Sequence, residues 1–190
     1  MKIKIITSPE ELGSLGQEWN ALLKDSANNV IYLTHEWIMA WWSSFGKGNI
    51  LNVIAVYNEK GQLVGIAPMM RTNNRYRGVN ITKICLMANG HSPSSNFIIS
   101  KENIAEITKA ILDYLKGNSD TDIIELTKLD TNSQTYSIAF DYLNMNSNRI
   151  GIKESIESPF ILINSDWETF FSGRSQRFRK SLRNKINRAN

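Results

Sequence analysis

The chain has 190 residues, 42% of them hydrophobic, with one cysteine and two histidines. That length supports one domain with a sizeable core, and a single cysteine excludes an internal disulfide framework. The net charge of +4 hides an asymmetry: 15 basic and 18 acidic residues precede Ser172, whereas seven basic residues and no acidic one follow it. A mildly acidic body therefore carries a basic arm. No apolar run is long enough to span a bilayer, and the start, MKIKIITSPEEL, lacks the apolar stretch of a signal peptide. A soluble, cytoplasmic protein is expected.

In chain order, Lys2–Thr7 reads as a strand. Ser8 can cap a following helix over Glu10–Lys24, with Pro9 at its first position and two glutamates near the positive dipole end. Leu12, Leu15, Trp19, Leu22 and Leu23 form one apolar stripe. Ile31–Leu33 reads as extended. Thr34 can cap a second helix, HEWIMAWWSSF, ended by Gly46. Its aromatics either pack on a sheet or wall a cleft; the spacing expects Trp37 and Trp41 buried and Trp42 partly exposed.

LNVIAVYNEKGQLVGIAPMM, residues 51–70, reads as a hairpin turning at Gly61. Its second strand is apolar enough to be buried on both faces. Pro68 has no amide hydrogen for a ladder, so it marks a bulge or strand end. Other elements must cover this hairpin, and it is expected at the centre of a mixed sheet.

Arg71, Arg75 and Arg77 follow in a polar loop, then a strand over 81–87. Residues 88–96, ANGHSPSSN, are a loop leading to a short strand at 97–99. An amphipathic helix covers 102–116, a strand 122–129 and a helix 133–145, with Tyr136, Ala139, Phe140 and Leu143 facing inward. Residues 150–163 read as a strand broken at Pro159. Asp166 or Ser165 caps a last helix running to the end. The order β-α-α-β-β-β-α-β-α-β-α gives an α/β (α+β) domain with an antiparallel beginning.

Chemical motifs are few. There is no Walker loop, GxGxxG, HExxH or GxSxG, and so few histidines and cysteines argue against a metal site. His35 sits in a helical first turn. His91 lies beside Ser92, Ser94 and Ser95 with no acid near in sequence. Strand-to-helix loops can cradle phosphate with backbone amides, but 88–96 has one glycine, Gly90, and Pro93 offers no amide hydrogen. In the arm, Phe178, Leu182 and Ile186 recur every four residues among cations. This face either docks by its apolar seam or meets an anionic ligand, nucleic acid or membrane surface. The lack of base-stacking aromatics apart from Phe178 argues against nucleic acid.

Three runs, YLTHEWIMAWWSSFG, LNVIAVYNEKGQLVGIAPMM and SDWETFFSGRSQRFRKSLRNKINR, resemble the CelD-like acetyltransferases, which are related to the FemAB aminoacyltransferases and built from GNAT-type domains. The resemblance implies a GNAT-like domain over residues 1–165, largely antiparallel and flanked by helices. It implies that 166–190 is a basic helix leading to a second such domain. It also implies acyl transfer from acetyl-CoA to an amine or hydroxyl of a sugar or cell-envelope precursor. The usual Q/RxxGxG/A pyrophosphate loop is missing, so the chain resembles the first half of such an enzyme, with little CoA affinity of its own. A non-catalytic module binding a substrate or partner protein is the alternative. Candidate substrate contacts are Trp37, Trp42, Arg71, His91 and Asn96. Anion contacts would be Arg174, Arg177, Arg179, Lys180 and Arg183. No residue stands out as a catalytic base, and no metal is expected.

Overall fold

A computed structural model describes residues 1–145, 149–154 and 164–189. Two compact units emerge, Met1–Ser155 and Ile156–Asn190. The first begins with β1 (Lys2–Ile6), α1 (Pro9–Ser14), α2 (Gly16–Asp25) and α3 (His35–Phe45). Next come β2 (Ile50–Leu51), β3 (Val53–Tyr57), β4 (Leu63–Ala67), β5 (Met69–Tyr76), β6 (Val79–Leu86) and β7 (Ile98–Ile99). It closes with α4 (Ile104–Lys116), β8 (Ile123–Glu125) and α5 (Gln134–Met145). The second unit holds α6 (Trp167–Ser172) and α7 (Gln176–Ala189).

The fold is mixed and largely antiparallel, with helices on the sheets, but among the described residues there are two four-stranded sheets where one was expected. Their orders are β1-β3-β4-β7 and β2-β5-β6-β8. One long hairpin runs through both. Its first strand breaks at Asn52 and its second at Pro68, and each break moves the chain from one sheet to the other. The amide of Asn52 still donates to Met69 O at 3.1 Å. Pro68, lacking an amide hydrogen, sits where no ladder bond has to be given. Between the breaks β3 and β4 are the middle strands of the first sheet, as the sequence expects. Gly61 makes the turn at φ +75°.

The apolar run of β3 fills two cores. Val53 and Ala55 face α1, α2 and α3, meeting Leu12, Trp19, Leu22, Ile38 and Trp41. Ile54 and Val56 face α4, meeting Ile107, Ile111 and Leu115. All four β3 residues are fully buried, so the strand is covered on both sides.

Several expectations are corrected. The first helix breaks at Leu15 into α1 and α2. Gly16 lies under His35, and a Cβ there would come within 3.1 Å of the imidazole Nδ1. Ser8 caps α1 as expected, accepting from the Glu11 amide at 3.2 Å. Ile31–Leu33 is a 3-10 turn rather than an extended segment. The polar stretch after Arg71 is strand: β5 and β6 pair over eight residue pairs, from Met69 opposite Leu86 to Tyr76 opposite Val79. Their ribbon turns at Arg77 and Gly78, both at positive φ.

The strand at 122–129 pairs only over Ile123–Glu125. On α5, Ala139 is buried but Phe140 is 38% exposed. The last helix is interrupted: Asp166 caps α6, accepting from the Thr169 amide at 2.8 Å, and α7 restarts after Gly173 with Ser175 accepting from the Phe178 amide. That hydrogen bond to the Thr169 amide holds the Asp166 carboxyl below its usual range. The strand expected at 150–163 falls largely on 155–163, outside the described residues.

Candidate functional site

The loop 88–96 emerges where the chain passes from one sheet to the other. β6 runs beside β5 as far as Leu86 opposite Met69, and Met87 donates to Pro68 O at 2.9 Å. The chain then leaves, and returns as β7 with Ile98 opposite Ile66 and Ile99 opposite Gly65. The excursion starts opposite Met69 on β5 and ends opposite Ile66 on β4, on either side of the Pro68 break.

On its other side, β6 has a parallel neighbour. Lys83, Ile84 and Cys85 pair with Ile123, Ile124 and Glu125. Lys83 Nζ meets Glu125 across these strands at 2.5 Å, and this hydrogen bond raises the lysine pKa. Burial pushes the Cys85 thiol up, away from the reactive thiolate. Beyond Glu125 the ladder ends, and the loop that follows β6 bonds to the segment that follows β8. The Ser95 amide donates to Lys128 O at 3.1 Å, and the Ser95 hydroxyl donates to Thr127 O. Lys128 Nζ reaches back to Asn89 O at 2.5 Å. Both ends of the loop are thus stapled to Thr127–Lys128. Lys128 adopts a left-handed φ of +57°, a conformation that side chains generally avoid.

Helix α3 forms the third side. Thr34 caps it, accepting from the Trp37 amide at 3.3 Å. The Trp37 indole N–H donates to Ser92 Oγ at 3.2 Å, and Tyr32 meets the Trp37 ring edge-on with centroids 5.0 Å apart. His91 stacks on Phe45 at 5.3 Å and 15°. Ser92, Ser95 and Asn96 are buried, whereas His91 and Phe45 are exposed. The result is an aromatic and imidazole surface on a loop tied down at both ends, able to stack against a flat or ring-shaped molecule.

The candidate contacts divide accordingly. Trp37 and His91 meet at the loop. Asn96 lies within it but is buried, its side-chain oxygen accepting from the Phe97 amide at 2.8 Å. Trp37, expected to be buried, is half-exposed, because its polar edge leaves the core for Ser92. Trp41 is buried and Trp42 half-exposed, as the spacing expects. Trp42 folds over the helix end, where a Cβ on Gly46 would collide with its ring at 2.6 Å. Arg71 is elsewhere: on β5, it donates to Asp120 O at 3.0 Å.

In the second unit, Arg174 lies over the Phe170 ring at 4.2 Å and Arg183 over Phe171 at 5.1 Å. Arg179 is half-exposed, and Arg177 and Lys180 are exposed. Sequence reasoning missed Phe45 as a surface ring, Ser95 as a staple and Lys128 altogether. Phe45 follows the core spacing of α3, and nothing in the sequence links Ser95 to residues more than 30 positions away. Among the described residues no group of three or more His, Cys, Asp or Glu could hold a metal ion.

Acetyl-CoA, which the resemblance implies, is tested by the turn that opens α4. Pyrophosphate is commonly held by converging backbone amides at a helix N-terminus. Here the turn is Lys101–Asn103, a 3-10 turn without glycine. Lys101 and Glu102 share that turn and Glu106 lies in the first turn of α4, so two carboxylates against one cation stand where the helix dipole would otherwise favour phosphate. These residues do not fit the group.

No family model matches the chain, and no curated protein does. Among solved structures, an aminoglycoside acetyltransferase, HMB0005, from an uncultured soil metagenomic sample is similar with a TM-score of 0.47 at 14% identity, over 86% of this chain and 100% of that one. A possible acetyltransferase from Clostridium difficile 630 gives 0.43 at 11%, over 85% and 100%. A mutant BH1408 protein from Bacillus halodurans gives 0.45 at 16%, over 85% and 100%.

Proposed function

We propose that this chain is the acceptor-side domain of an acyltransferase of the CelD-like kind, and that it does not itself hold acyl-CoA. The order of the Trp-rich helix, the hairpin through Gly65-Ile66-Ala67-Pro68 and the basic helix supports the family. One observation supports the second half of the proposal: past the last paired residues of parallel strands β6 and β8, the chain's own loop is bonded across to the segment that follows β8, through Ser95 on Thr127 and Lys128.

The stacked His91–Phe45 pair and Trp37 would position a sugar or cell-envelope amine or hydroxyl. Acyl transfer depends mainly on such positioning and on preorganised donors. The donor site would then lie on a second GNAT-like domain. A non-catalytic substrate- or partner-binding module is favoured by the same stapled loop, and differs in needing no acyl donor at all.

Titration calorimetry of acetyl-CoA into the 190-residue chain tests the proposal. At physiological ionic strength no binding heat is expected. Any low-salt affinity would come from the arginines and lysines after Ser172, and should vanish as screening shortens their reach to about 8 Å. Tight binding that survives salt would overturn the proposal and make the chain a complete CoA-dependent enzyme.

A further inference from the structure

Helix α7 presents two features that a helix lying in water does not need. The first is an exposed apolar stripe. Phe178, Leu182 and Ile186 stand one above another at four-residue spacing, with Phe178 41% and Ile186 43% exposed and Leu182 between them half-exposed. The second is unbalanced charge. Arg177, Arg179, Lys180, Arg183, Lys185 and Arg188 lie on this helix, and no acidic residue occurs after Glu168. A solvated surface helix commonly offsets its cations with carboxylates one turn away, and α7 has none. At 100° per residue the three apolar side chains occupy one sector. Lys185 and Arg179 border it on either side, and the other cations cover the opposite face.

We propose that α7 lies on an anionic lipid surface, its apolar stripe at the headgroup boundary, the bordering Arg179 and Lys185 on the lipid phosphates and the remaining cations adding long-range attraction. This is the pattern of an interfacial helix: a basic face, an apolar face and low net hydrophobicity. Each cation near an anionic leaflet adds attraction. A nucleic acid would satisfy the cations but leave Phe178 and Ile186 in water, and no stacking aromatic other than Phe178 lies on this helix. A bilayer satisfies both features. The proposal is independent of whether the chain holds acyl-CoA.

Sedimentation of the full chain with unilamellar vesicles tests it. Vesicles of phosphatidylcholine with about one-third phosphatidylglycerol should bind the chain at least about tenfold more tightly than pure phosphatidylcholine. F178S/I186S should weaken that binding about tenfold or more, and R179E/K185E about thirtyfold or more. These residues are exposed or half-exposed, and circular dichroism checks that the helix persists. Should F178S/I186S lose helicity, Ile186→Trp replaces it, and its added fluorescence should shift to the blue on anionic vesicles. Equal binding to both vesicle types, no binding to either, indifference to F178S/I186S or the absence of that shift would each overturn the proposal. So would tighter binding to duplex DNA than to anionic vesicles at the same ionic strength.

Discussion

Trp19→Ala should lower stability by about 3–5 kcal/mol, the largest loss expected from any single tryptophan. Trp19 is fully buried. Its indole N–H donates to Leu33 O at 2.8 Å, and its ring meets His35 edge-on at 5.8 Å. Trp41 is nearly as buried, at 4% exposed, but its indole N–H has no partner among the described residues. The two tryptophans should therefore separate under a milder change. Trp19→Phe strands a buried carbonyl and should cost about 1–3 kcal/mol beyond the lost volume. Trp41→Phe removes an unsatisfied donor, and that gain offsets part of the lost volume. Urea midpoints at constant m-value measure the difference. Trp41→Phe costing as much as Trp19→Phe would contradict this account of the α3 core.

Gly65→Ala should also be strongly destabilising, by about 1–3 kcal/mol, although alanine is ordinarily no worse than glycine in a strand. A Cβ at Gly65 would lie 2.4 Å from Ile107 Cγ2 and 3.3 Å from Val56 Cβ. Ile107 is 1% exposed and locked in the core of α4, so helix and sheet must separate to admit the methyl. Ile107→Ala alone should cost about 2–5 kcal/mol. Combined with Gly65→Ala it should cost less than the two single losses added together, because each change accommodates the other. Additivity within about 0.5 kcal/mol would show that the close approach does not limit this core.

The helices were legible wherever local chemistry marks both ends. Thr34 and Gly46 bracket α3, Ser8 and Pro9 open α1, and the spacing of Ile107, Ile111 and Leu115 marks the buried face of α4. In the ribbon of β5 and β6 the apolar end of β6, from Ile81, was legible, and the polar stretch from Arg71 to Asn80 was not. Residues 73–80 are all exposed, so no alternation of apolar and polar residues betrays a strand. Pro68 announced an irregularity, but the matching break at Asn52 carries neither proline nor glycine, so the division into two sheets stayed hidden. The split of the first helix depends on His35 lying over Gly16, a contact between elements. For the site, loop 88–96 was visible as a loop. What it bonds to was not, because Ser95, Thr127 and Lys128 are joined by backbone carbonyls that carry no residue signature.

Amide exchange at Ser95, followed by nitrogen–proton spectroscopy with and without millimolar acetyl-CoA, tests most directly whether the loop that follows β6 is bonded across to the segment that follows β8. Its N–H is held by Lys128 O in a buried residue, so it should exchange only when the structure opens, as strand amides do. The account predicts slow exchange and unmoved Ser95, Thr127 and Lys128 signals when acetyl-CoA is added at physiological salt. Exchange at the rate of an open loop, or movement of those three signals with added acetyl-CoA, would contradict it.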